Sequence, residues 1–152
     1  IDIIKKSKKK DFKKKINIST KTFQGIRIFV NKEISELIDG LIKATKILKS
    51  GGKIIVISFH SIEDKIVKFF FTKLSRNKPR TSRYFPDTNE QKFLFEQYKN
   101  KIIRPTPNEI NKNNPSRSAK LRYATRSKDN FFNPKEFKEK FINYLELENK
   151  YV

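Results

Sequence analysis

The chain has 152 residues, enough for one modest hydrophobic core, and carries 36 Lys and Arg against 16 Asp and Glu, a formal net charge of +20. With no cysteine it has neither disulfides nor a cysteine-ligated zinc site, and no apolar run reaches the roughly 18 residues of a membrane span or follows an export-signal layout. Positive charge on this scale points to a polyanion partner, although a general bias toward Lys, Asn, Ile and Phe would also supply it.

Residues 1–20 open with IDIIKKSKKK, a lysine-rich run too poor in apolar residues to hold a core. It reads as the end of a helix and a connector. A first residue of Ile rather than Met suggests the back portion of a longer chain. From Gly25 the pattern sharpens. Asn31 is a candidate N-cap, with Glu33 in the first turn where the helix dipole favours an anion. Ile34, Leu37, Ile38, Leu41, Ile42, Thr45 and Leu48 then form one stripe, which predicts a helix over 31–49. Ser50-Gly51-Gly52 ends it, because glycine reaches the left-handed C-cap conformation without steric cost.

KIIVISF (53–59) is β-branched and apolar on both faces, and predicts an interior strand of a sheet covered on both sides. It runs straight into His60–Ser61, where the chain's single histidine stands. Ser61-Ile62-Glu63-Asp64 reads as a capped helix start, and Ile62, Ile66, Phe69, Phe70 and Leu74 as that helix's buried side. Helix, Gly-Gly turn, buried strand and helix make α/β grammar, with helices covering a mostly parallel sheet.

Residues 76–100 read as a long loop with a short helix near Glu90–Tyr98, and KIIR (101–104) as a short strand. AKLRYATR (119–126) sets Ala119, Leu121, Tyr123 and Thr125 against Lys120, Arg122, Ala124 and Arg126, a strand with one basic face. In the tail, Asn133 as N-cap, Pro134 at N1 and Glu136 at N3 predict a helix docked through Phe137, Phe141, Tyr144 and Leu145. Charge is uneven along this order. Residues 76–127 hold thirteen Lys and Arg against four acids, whereas 128–152 hold five against five. Only eight of the 36 cations are Arg, so the Arg positions say more about a phosphate partner than the Lys runs do.

Three stretches, TFQGIRIFVNKEI (22–34), GGKIIVISFHSIEDKIVKFF (51–70) and NNPSRSAKLRYATR (113–126), are more specific than any of these patterns. In this order and spacing they resemble the C-terminal part of the bacterial ribosomal RNA small subunit methyltransferase H (MraW) family, over roughly residues 16–126. The resemblance implies S-adenosylmethionine-dependent methylation of the exocyclic amine (N4) of a cytidine in small-subunit (16S) rRNA, with the rRNA or ribosomal subunit as partner. It also implies an α/β fold, the C-terminal half of a class I (Rossmann-like) methyltransferase sheet. On that map residues 1–20 leave a helical insertion and 21–127 form the half-domain. KIIVISF becomes the fifth strand, the segments near 101–104 and 119–126 the last two with the final one antiparallel, and 128–152 a tail. A bacterial cytoplasmic setting goes with the resemblance, an organellar one remaining open.

The family's Gly-rich loop and its ribose-binding acid have no counterpart here, since the four glycines include no G-x-G run. The chain is therefore expected neither to bind S-adenosylmethionine nor to turn over alone, and no cofactor-binding residue is assigned within it. The family's His-Pro-Ala-Thr-Arg before TFQ is replaced by Asn17-Ile18-Ser19-Thr20-Lys21.

In open α/β sheets ligands sit outside the carboxyl ends of strands, which is where His60 and Ser61 fall. A cytosine amine is a poor nucleophile, and a base flipped into such a pocket needs acceptors aimed at its amine protons. His60, Ser61 and Asp64 are the catalytic candidates, with Glu63 assisting. The plainer alternatives are Ser61 and Asp64 as a capping pair, His60 bonded to a backbone group, and Glu63 as a solvated first-turn acid. Lys21, Arg27, Arg117, Lys120, Arg122 and Arg126 are the candidates for RNA phosphate contact, the last four being otherwise an exposed strand face. Thr22, Phe23 and Gln24 line the same rim by analogy, Phe23 and Ile26 being otherwise core. The non-enzymatic alternative is a basic RNA-binding module, a remnant that has lost its chemistry.

Overall fold

The computed structural model describes residues 19–76 and 92–150, which fall into two compact units. One comprises the described residues within Leu37–Phe141, the other those up to Glu36 together with those from Ile142 onward. No helix among the described residues is long and apolar enough to cross a membrane.

The larger unit is built on β1 (Lys53–Ser58) and β2 (Lys120–Thr125), which pair antiparallel from Lys53↔Thr125 to Ser58↔Lys120. A helix over Ser61–Leu74 packs on this ribbon and buries Ile66, Val67, Phe70, Phe71 and Leu74, the i, i+4 spacing that one helical face supplies. Phe71 lies edge-on to Phe95 at 5.3 Å, and Phe70 contacts Phe95 at 5.5 Å and Phe137 at 4.7 Å. These four rings are fully buried, each stabilising the fold by about 1.5–3 kcal/mol through area alone. Phe137 comes from a short helix, Lys135–Lys140, as the sequence predicts for the tail.

Several sequence expectations change on this body. The strand predicted to be covered on both faces is covered on one. Ile54 and Ser58 are buried, whereas Ile55 and Ile57 are 61% and 55% exposed, because no described residue packs over the second face. The described strands form an antiparallel pair rather than a parallel sheet, and β1 uses one of its two hydrogen-bonding edges. The predicted strand at 101–104 contracts to one bridge, Ile103↔Leu121. Of the helix predicted near Glu90–Tyr98, positions 90 and 91 lie outside the described residues, and the rest is not helical. There the Leu94 and Phe95 amides both donate to the Leu74 carbonyl and Phe95 bridges Ser75 and Arg126, so neighbouring backbone satisfies groups a helix would pair internally. A helix not foreseen spans Pro107–Lys112, where Thr106 Oγ1 accepts from the Glu109 amide and Pro107 takes the first position. A 3₁₀ turn, Asn114–Ser118, leads into β2.

In the smaller unit TKTFQGIRIFV folds as a helix, Thr20–Val30, so Asn31 is a C-cap and not the expected N-cap. Lys32 reverses the chain with φ +51°, and the next helix begins at Glu33 and runs through the unit boundary to Ile47. Its N-terminus is capped from far away in sequence. The Glu148 carboxylate, 2% exposed, accepts from the Ile34 and Ser35 amides at 3.4 and 3.0 Å and from the Ser35 hydroxyl. Glu148 sits on a separate terminal helix, Ile142–Lys150. The single predicted tail helix is thus broken at Phe141, with Pro134 rather than Asn133 at the cap position of its first half. Phe137 and Phe141 are buried as predicted, but Tyr144 is exposed. The stretch 1–18, with its lysine run, lies outside the described residues.

Candidate functional site

The site is assembled where β1 ends and the Ser61–Leu74 helix begins. His60 has extended backbone, φ −131° and ψ 166°, and is itself the N-cap. Its Nδ1 accepts from the Glu63 amide at 3.3 Å, while Glu63 Oε2 accepts from the His60 and Phe59 amides at 3.2 and 2.8 Å. This is a reciprocal capping box with histidine in the place serine usually takes. Nε2 lies 3.2 Å from Glu63 Oε1. The imidazole therefore stands at the strand terminus, as expected, but it is spent on the helix it starts. Ser61, expected as the cap, is the first helical residue with an exposed side chain.

One turn further on, Asp64 receives two cations from β2. Arg122 Nε donates to Oδ1 at 2.7 Å and Lys120 Nζ to Oδ2 at 3.1 Å. Burial alone would raise the Asp64 carboxyl, but the hydrogen bonds and charges of Arg122 and Lys120 outweigh it and hold the group below the ordinary carboxylate range. Arg122 is pushed up in turn: desolvation opposes its charge, and the bonds to Asp64 and Tyr98 overcome that. Its Nη1 donates to Tyr98 Oη at 2.9 Å and to Asn100 Oδ1 at 3.0 Å, so the guanidinium is bonded on both sides.

The alternation read from AKLRYATR is correct in period and inverted in sense. Arg122, Ala124 and Arg126 are buried, and Tyr123 is 41% exposed. The inward face tolerates cations because each finds acceptors. Arg126 donates to the Leu94 and Asp129 carbonyls at 2.9 and 2.8 Å and to Ser127 Oγ at 2.9 Å. Neither Arg122 nor Arg126 is therefore placed for the phosphate contact expected of them, and Lys120 is bound to Asp64. Arg117 is exposed, with only local bonds to Asn114. In the smaller unit Lys21 is exposed, and Arg27, also exposed, forms a two-point pair with Glu33 at 2.9 and 3.1 Å. Phe23 and Ile26 are exposed on the same helix and are not core. Sequence reasoning missed Tyr98 and Asn100, which lie in an irregular stretch where no periodicity marks them.

Neither the sequence nor the strand end provides a cradle for S-adenosylmethionine. The first-turn amide of Glu63 and the two amides before the helix are already taken by the His60–Glu63 box, and no G-x-G run stands at the turn. The described residues at this strand end do not fit that cofactor by themselves.

Residues 1–127 match the family model described as the MraW methylase family. A ribosomal RNA small subunit methyltransferase H from Ehrlichia ruminantium (strain Gardel) is 50% identical over 107 residues, 70% of this chain and 34% of the relative. The enzyme of that name from Parvibaculum lavamentivorans is 42% identical over 113 residues, 74% of this chain and 33% of the relative. That from Agrobacterium fabrum is 40% identical over 127 residues, 84% and 36%. The chain thus spans about a third of the length of the curated relatives it matches.

Proposed function

The chain belongs to the MraW methylase family, and on that premise we propose that it is the C-terminal part of an S-adenosylmethionine-dependent methyltransferase acting on the N4 amine of a cytidine in small-subunit rRNA. On this reading residues 21–127 are half of a class I methyltransferase domain, 1–20 the exit of a helical insertion and 128–152 a tail. The cofactor is held by sequence outside this chain. The sheet is completed along the unpaired edge of β1, under the exposed Ile55 and Ile57. The family match over 127 of 152 residues carries the proposal. It is supported by the position of His60 and Asp64 at the carboxyl end of β1, the rim where such sheets bind ligands.

In the proposed mechanism the chemistry supplied by the cofactor is an electrophilic methyl group. This chain's task is to orient the base, and the proton lost from the methylated amine passes to solvent. Asp64, kept ionised by Arg122 and Lys120, fixes those two cations one turn from His60, leaving the cluster with a net positive charge. Because His60 Nδ1 accepts from the Glu63 amide, its proton sits on Nε2, and His60 orients the flipped base by turning that N–H from Glu63 Oε1 to a ring acceptor of the base. Arg117, Lys21 and Arg27 meet phosphates and position the RNA.

A second reading, a basic RNA-binding module without chemistry, is favoured by the internal engagement of His60 with Glu63 and of Asp64 with Arg122 and Lys120. One experiment separates the two. Transfer of radiolabelled methyl from S-adenosylmethionine to undermethylated small subunits is measured for this chain alone and after fusion to the N-terminal two-thirds of the Ehrlichia relative. No transfer alone and transfer by the fusion support the enzyme. A folded fusion that binds subunits but transfers nothing refutes it.

A further inference from the structure

Along the half of β2 that pairs with the start of β1 lies a surface cleft of about 180 Å³, lined among others by Gln97, Tyr98, Lys99, Lys101 and Tyr123. None of the described residues lining it is acidic, although two are lysines and two are tyrosines. The two rings are held differently. Tyr98 is fixed, its hydroxyl accepting from Arg122 at 2.9 Å and its ring leaning on Phe71 at 5.4 Å. Tyr123 projects from the outer face of β2 and is partly open to solvent. Lys99 and Lys101 flank them as exposed cations, on either side of Asn100, which has φ +51° and accepts from Arg122.

We propose that this cleft binds one nucleotide of single-stranded RNA, its base against the tyrosines and its neighbouring phosphates at Lys99 and Lys101. The proposal rests on the rRNA-directed reading above and extends it with a subsite that reading does not contain. An anchored ring beside an open one gives a π surface that any base can use, and cations spaced along one segment follow a backbone. An A-form duplex offers no free base face to such a cleft. A run of carboxylates in an acidic peptide gains nothing from aromatic walls and an amide. The location adds to the argument, because Arg122 touches Tyr98 and Asn100 on one side and Asp64 on the other.

The test uses the full 152-residue chain and a single-stranded RNA octamer carrying 2-aminopurine, with anisotropy and quenching as readouts. Tyr123→Ala is expected to weaken binding roughly 5- to 150-fold and to abolish the quench, the range that loss of one stacked base gives. Tyr123→Phe keeps the ring and is expected to bind within about twofold of the parent. Lys99→Ala with Lys101→Ala is expected to lower the slope of log affinity against log salt by about 1.4, or about 0.7 per lost phosphate contact. If the parent binds the octamer and all three variants match it, the cleft is refuted and RNA binding elsewhere on the chain stands. If the parent does not bind the octamer, the cleft is refuted, while the RNA-directed reading is decided separately by the fusion. Displacement by polyglutamate that itself depends on Tyr123 would assign the cleft to acidic peptides and overturn the proposal.

Discussion

Asp64→Asn removes the charge that the most deeply buried arginine at the site is built around. Arg122 has a side chain 3% exposed, and its Nε is satisfied by Asp64 Oδ1. After the substitution Nη1 keeps Tyr98 and Asn100, but the guanidinium charge has no counterion of its own. Removing one partner of a buried pair costs about 3–5 kcal/mol. Asp64 is 14% exposed and the new amide oxygen still accepts, so the lower end applies, about 3 kcal/mol. Urea unfolding measures this as a fall in midpoint at constant slope. Replacing both residues, Asp64→Asn with Arg122→Met, is expected to recover part of the loss, because the uncompensated charge goes too. The pH dependence follows from the sign of the shift. The folded carboxyl lies below its ordinary value, so the unfolded chain takes up the proton first as pH falls. The contribution is complete above about pH 4–5 and drains away below it, so Asp64→Asn flattens the acid limb of the stability profile. A loss under about 0.5 kcal/mol, with an unchanged acid limb, would refute the account of this network.

His60→Ala removes one half of the capping box and is expected to cost about 1 kcal/mol in urea unfolding. In the fusion enzyme it should lower turnover more than RNA affinity, and equal losses would count against its catalytic role. Arg117→Ala should weaken RNA binding and reduce its salt slope by about 0.7 without moving the unfolding midpoint, whereas Arg126→Ala should destabilise the fold. Glu148→Gln should cost about 0.5–2 kcal/mol, with faster hydrogen exchange at the Ile34 and Ser35 amides as the specific signature.

What could be read from the sequence was local and periodic. The stripe from Ile34 to Leu48, the apolar strand before His60 and the alternation in AKLRYATR each became an element, and Phe137 and Phe141 became core. What could not be read depends on partners distant in the chain. Alternation identifies two faces and not which one points inward. That sense is set by Asp64, 58 positions from Arg122, and by carbonyls at 94 and 129. The cap of the helix at Glu33 is a glutamate more than a hundred residues away, so Asn31 was the only local candidate and the wrong one. At the site, the position of His60 followed from the strand's end. Its capping function did not, since Ser61 has the higher prior for that role. Tyr98 and Asn100 left no periodic trace at all.

The bare flank of β1 also bears on how the polypeptide behaves in a test tube. Among the described residues β1 leaves one ladder edge unpaired beside the exposed Ile55, Ile57 and Phe59, and such a strand is a template for any extended chain that meets it. A complementing segment and a second molecule compete for the same seam. Self-association at rising concentration and the speed of rescue by the N-terminal two-thirds of the Ehrlichia relative are therefore two measurements of one contest, and Ile57→Lys should suppress both together.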